Sequence, residues 1–207
     1  MNSGWRDSLD VWASPIMANL LWVLLCLPII TMPLAIIGLF AYMYHWMDDR
    51  RTQVFSIFFG TLRRAWFRAY LLFILDLLIG GFLVFNLLIF AQMDLHNPIA
   101  LMSLGATLLC VVIFLVVNIP AWVLVAIRDV PLKENLIFAI RLVFAEPFWA
   151  VGIALTFALV FVLSITMPAA IFVSVTGAIA GYIASKGTNH MSRKYLSRED
   201  FQLFDVT

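Results

Sequence analysis

The sequence predicts an all-α fold, a polytopic bundle of transmembrane helices, and three observations carry that expectation. Of 207 residues, 64% are hydrophobic and only 12% charged, which is more apolar surface than a water-soluble domain of this size can hide. Four long blocks are free or nearly free of charge: Val11 to Tyr44, Ala69 to Gln92, Pro98 to Ile127 and Pro147 to Ser185. The basic residues fall in short clusters between these blocks and do not form a basic domain, so the net charge of +1 gives no nucleic-acid signal. The expected layout is six spans, with five as the alternative, and two cytoplasmic amphipathic helices. Residues 1–185 are expected to form a single transmembrane domain and residues 186–207 a cytoplasmic tail.

The amino terminus sets Arg6 beside Asp7 and Asp10. The apolar run beyond it is too long for the core of a cleaved signal, so it is expected to stay attached. At about 1.5 Å per residue, the second and third blocks would be roughly 36 and 45 Å long, one tilted crossing each. The first and fourth would be on the order of 50 to 58 Å as straight helices, too long for one crossing of a hydrocarbon layer about 30 Å thick. Each of these is expected to turn back.

A repeated phrase supplies the turn. "ITMPLAI" at Ile30 to Ile36 returns as "ITMPAAI" at Ile165 to Ile171. Thr31 and Thr166 can cap the helices that follow, and Pro33 and Pro168 are tolerated in a first helical turn, where the missing N–H had no partner. In a helix interior the same proline costs about 3 kcal/mol. The phrase is therefore read as a hairpin apex, used twice. The competing reading of the first block is one long span kinked at Pro28 and Pro33.

Basic residues orient the layout. Residues 45–68 carry Arg50, Arg51, Arg63, Arg64 and Arg68; residues 128–146 carry Arg128, Lys133 and Arg141; the tail carries Lys186, Arg193, Lys194 and Arg198. The connection from Gln92 to Pro98 carries none. The positive-inside rule then puts the first three in the cytoplasm and the last outside. With six spans Arg6 joins the others, and all 13 Lys and Arg lie on one side.

Two internal connections read as amphipathic helices. In "VFSIFFGTLRRAW", Phe55, Phe58, Phe59, Leu62 and Trp66 recur opposite Ser56, Gly60, Arg63 and Arg64. In "PLKENLIFAIRLVF", Leu132, Leu136, Ile140 and Phe144 recur opposite Lys133, Glu134 and Arg141. Such helices lie in the interface as anchors, or present Arg63, Arg64, Lys133 and Arg141 to a partner subunit. Trp46, Trp66 and Trp149 are expected as interfacial anchors.

The sequence carries no enzyme signature: no phosphate loop, no HExxH, no cysteine pair at metal spacing. Cys26 and Cys110 are expected as buried, inert thiols. His45, His96 and His190 fall in different segments, and His45 with Asp48 or Asp49 is expected as an interfacial helix end. No metal and no cofactor is implied. Asp76, in "YLLFILDLLIGG", is the one ionisable residue deep in an apolar block. It must face the bundle and find a partner or stay protonated. Counted from the nearest charged flanks, Asn19, Asp76 and Asn118 lie about 12 to 15 Å into the layer. They are expected to form one polar layer, as interhelical glue or as a proton- or ligand-responsive site.

The stretch "NLLWVLLCLPIITMPLA", Asn19 to Ala35, followed by "WMDDRRTQVFSIFFGTLRRAW", resembles the YesL-like family of bacterial inner-membrane proteins, a domain family of unassigned function. Asn19, Leu20, Leu21, Trp22, Leu27, Pro28, Thr31, Pro33 and Ala35 carry the likeness, which extends over roughly residues 15–90. It departs from the pattern at Met32-Pro33-Leu34, where members often place a Gly and then Pro-Ala. The family has no catalytic residues to carry over. Its members are commonly encoded beside carbohydrate-uptake transporters. The resemblance thus implies a non-enzymatic accessory or regulatory component of ABC-type sugar import in the bacterial cytoplasmic membrane, with permease or ATPase subunits as partners. The alternative is a small transporter or substrate-binding membrane subunit built around Asp76.

Overall fold

A computed structural model describes residues 3–48, 53–90, 92–93, 98–166 and 175–195. Every regular element among them is helical: α1 (Ser3–Cys26), a single 3₁₀ turn (Ile29–Thr31), α2 (Met32–Asp48), α3 (Val54–Phe90), α4 (Pro98–Ile127), α5 (Leu132–Ala145), α6 (Pro147–Thr166) and α7 (Gly177–Ser192). Proline marks the starts. Pro33, Pro98 and Pro147 stand in the first turns of α2, α4 and α6, and Pro131 caps α5, positions where a missing N–H costs nothing. Among the described residues, three helices are long and apolar enough to cross a membrane, the chain from Ile29 to Asp48, α3 and α4, and a fourth is counted if α5 and α6 are one span. The latter two meet at 104°. Glu146, the residue before Pro147, leaves helical geometry at φ −131° and ψ 59°, the usual effect of a following proline ring.

The first hairpin is present. Its apex, Leu27 to Thr31, is closed by the Thr31 hydroxyl, which lies within donating distance of the carbonyls of Leu25 and Pro28. Thr31 thus serves the carboxyl end of α1, whereas the sequence suggested a cap on α2. The Tyr70 hydroxyl donates to the Ile30 carbonyl at 2.7 Å. That bond pins the apex beside residue 70 of α3, twenty residues before Phe90, or about 30 Å short of that end. The second apex, with Pro168, lies outside the described residues; Thr166 closes α6.

Residues 54–66 are the first turns of α3 and not a separate interfacial helix. No Pro interrupts the chain from there to Phe90, and Gly60 alone is too weak a breaker to end a helix with good formers on both sides. The packed face also differs from the expected aromatic one. Val54, Ile57, Phe58, Thr61, Ala65, Ala69 and Leu72 are buried, while Phe55, Phe59 and Trp66 are exposed. The reason is α2, which lies against that face with Gly38 under the Phe58 ring; a Cβ at Gly38 would overlap the ring. On α5 the buried positions are Asn135, Ala139, Leu142 and Val143, and Ile140 and Phe144 point outward.

Packing is concentrated at the basic end. Eight consecutive residues of α4, Pro120 to Ile127, are buried, so this end of α4 is enclosed on every side. The main core joins it to α2, the early turns of α3, and α7. Trp46 belongs to this core, edge-on to Tyr182 at 6.0 Å, and is no interfacial anchor; Trp66 and Trp149 are exposed. The outer turns of α3 and α4 have few neighbours, which leaves Cys110 exposed, contrary to expectation. At the other edge α7 continues through Lys186 to Ser192, with Met191 and Ser192 buried. The packed body therefore reaches past Ser185.

Candidate functional site

Asp76 and Asn118 are brought together, as their depth suggested. Asn118 Nδ2 donates to Asp76 Oδ1 at 2.7 Å, and Trp122 Nε1 donates to Asp76 Oδ2 at 2.8 Å. Asn118 and Trp122 stand four residues apart on α4 and so project from one face toward α3. Pro120 lies between them inside α4, where it deprives the Val116 carbonyl of its helical N–H. Each carboxylate oxygen of Asp76 thus receives one N–H. A carboxylate at the bilayer centre costs about 2.5 to 3.5 kcal/mol on insertion scales. Two bonds to a charged acceptor, worth about 1.5 to 3 kcal/mol each, are of the size needed to offset that.

Asn19 has a different role. Its Oδ1 accepts the Ala178 backbone N–H at 2.8 Å, so it caps the amino end of α7 from another helix. A Cβ on Gly177 would overlap Asn19 Oδ1 and the Trp22 ring; the absence of a side chain there lets α1 come close enough to supply the cap. α7 is held further by Ser185 Oγ, which donates to the Phe40 carbonyl at 3.2 Å.

Beside the Asp76 cluster lies a chamber of about 710 Å³ walled by α1, α2, α4, α6 and α7. Asn118 and Trp122 form part of its wall, and Cys26 another part; nearly all the rest is apolar. Leu39, Phe40, Val116 and Trp122 are buried at its base, whereas Met32, Val112, Leu115, Val151 and Leu155 are exposed at its rim.

At the basic end Arg68 holds the α4–α5 corner. Its Nη1 donates to the carbonyls of Arg128 and Val130, both at 2.9 Å, and its Nη2 meets Asp129 at 2.7 Å. The side chain is only 12% exposed. Arg128 lies over the Phe138 ring at 4.9 Å. Of the basic residues considered for docking, Arg63, Lys133 and Arg141 are exposed and Arg64 is half-buried. His190 packs on Trp149, ring centres 4.6 Å apart, and His45 meets Tyr44 edge-on. His96 and Asp49 lie outside the described residues. Lys194 reaches back to Glu146, and that hydrogen bond raises the ammonium above its ordinary range.

Residues 16–87 match a family described as "Protein of unknown function, DUF624". The matched stretch runs from the middle of α1 to near the end of α3 and contains Asn19, the first hairpin and Asp76. Asn118 and Trp122, which complete the polar cluster, lie beyond it. No curated protein and no solved structure matches the chain.

Trp122 and Arg68 were not singled out by the sequence as site residues. Trp122 was in principle legible: an indole within an apolar span needs an acceptor for its N–H, and it stands one turn from Asn118. Arg68 is one of several arginines, and nothing local distinguishes the one that folds back onto a loop sixty residues away.

Proposed function

We propose that this chain is a non-enzymatic accessory or regulatory component of a bacterial ABC-type carbohydrate uptake system, acting through contacts with permease or ATPase subunits in the cytoplasmic membrane. The observation that carries the reading is that the polar groups of the Asp76 cluster are spent on one another within the chain. Both Asp76 oxygens are taken by Asn118 and Trp122, and the neighbouring chamber is almost wholly apolar. A sugar site needs a ring of converging donors and acceptors to replace the water it strips. Arg63, Lys133 and Arg141 are among the charged side chains exposed at the packed end, where a cytoplasmic or juxtamembrane partner would meet them. The likeness to YesL-like proteins supports the sugar-uptake context.

The membrane layout belongs to the same proposal. Six membrane-embedded segments leave both termini in the cytoplasm, and the first two form a hairpin that turns at the depth of Tyr70. Affinity purification from native membranes in mild detergent tests the function. Near-stoichiometric sugar-transporter subunits, lost in an Arg63→Glu, Arg64→Glu double variant, are the expected result. Recovery of the protein alone would move the assignment to the small transporter centred on Asp76, for which Asn118 bridging the acid and the chamber wall is the favouring observation.

A further inference from the structure

We propose that the chamber between α1, α2, α4, α6 and α7 is a binding site for an acyl chain of a membrane phospholipid. Its volume, about 710 Å³, lies in the range of ligand pockets. The exposed rim residues Val112 and Leu115 belong to α4, one of the helices able to cross the bilayer. The mouth therefore opens at hydrocarbon depth, where the surrounding solvent is acyl chain.

The wall selects the same occupant. Water in a cavity needs two to four polar partners, and among the described residues the wall is almost wholly apolar, its one carboxamide, Asn118, already donating to Asp76. Left unfilled, the chamber would deprive Leu39, Phe40 and Val116 of dispersion contacts on one side. A flexible chain entering past Val112 and Leu155 restores those contacts and brings no polar group to be satisfied. The small residues Ala154, Ala158, Ala180 and Gly181 leave it room. Because hydrocarbon outside is as apolar as the chamber, the gain is packing and not transfer from water. The occupant is thus a retained lipid and not the general boundary layer. This inference does not depend on the docking role.

Native mass spectrometry of the full chain, purified through extended detergent washing, provides the test. The wild-type protein is expected to keep one phospholipid, and Ala154→Phe and Ala158→Phe, which fill the chamber, to reduce that occupancy about tenfold. Leu78→Phe, on the outer face of α3, should leave it unchanged. Loss of all lipid from the wild type, a retained mass without an acyl chain, or equal retention in the filled variants would overturn the proposal. Should a filled variant fail to fold, bilayers of phosphatidylcholine brominated at mid-chain decide. The bromines should quench Trp122 in the wild-type protein, seen as a smaller quenched fraction in Trp122→Phe, and an equal fraction in the two would overturn it.

Discussion

The indole N–H of Trp122 donates to Oδ2 of Asp76 at 2.8 Å, so the one acid deep in an apolar block is held across a helix pair by an aromatic residue as well as by Asn118. Both partners are donors, and that fixes what each substitution at position 76 should do. In Asp76→Asn the new oxygen can accept from Trp122, and the Asn118 amide can turn over to accept from the new amide. All bonds survive, and the cost should stay within about 1 kcal/mol. Asp76→Leu leaves two N–H groups without acceptors and should cost about 2 kcal/mol or more. Unfolding in detergent by increasing SDS measures both. Because Asp76→Asn spares the structure, any change it brings in flux or in partner binding reports the charge itself.

Arg68 spans three acceptors on the 128–130 loop. Arg68→Ala would strand those carbonyls and Asp129, and roughly 3 kcal/mol is expected, the low end for breaking a buried pair because Asp129 is half exposed. Arg68→Lys should recover only part of this, since an ammonium on a thinner stem cannot hold the fork. Thermal unfolding of the two variants in the same detergent gives the ranking, and equal midpoints for wild type and Arg68→Ala would remove the clamp from the account.

Gly38 lies under the Phe58 ring, and Phe58 is fully buried. Gly38→Ala gains helix propensity of about 1 kcal/mol, but the ring has no free space to move into, and overpacking of this kind costs about 1 to 3 kcal/mol. A net loss of stability is expected. Pairing with Phe58→Leu should relieve it, and a double-mutant cycle reads the coupling.

The Tyr70 to Ile30 bond sets the depth of the first hairpin. A cysteine at Ile29, on a Cys26→Ser, Cys110→Ser background, is expected to resist a membrane-impermeant maleimide added outside intact cells. One at Met93, just past the end of α3, should react. Equal labelling would place the apex at the outer surface and restore two full crossings there. Tyr70→Phe removes the hydroxyl and should loosen the apex at a cost of about 1 kcal/mol.

Composition and the lengths of uncharged blocks determined much of this protein alone. Uncharged blocks of this length point to helices in a bilayer, because a helix pairs each backbone N–H and C=O within its own segment. The proline positions fixed where α2, α4 and α6 begin, because a missing N–H is harmless only there. Spacing from charged flanks put Asp76 and Asn118 at one depth, and they do meet. What periodicity missed were the faces. It grouped Phe55, Phe58, Phe59, Leu62 and Trp66 as the apolar face of an interfacial helix. In α3, however, Phe58 is buried together with the smaller residues Thr61, Ala65 and Ala69, while Phe55, Phe59 and Trp66 stay exposed, since close helix approach favours small side chains. It placed Asn19 in the polar layer on depth alone, although Asn19 reaches the backbone of Ala178, 159 positions away. Hydrophobicity along a chain reports which segments leave water. Which neighbour each face meets depends on interhelical contacts, and those exist only once the helices have packed.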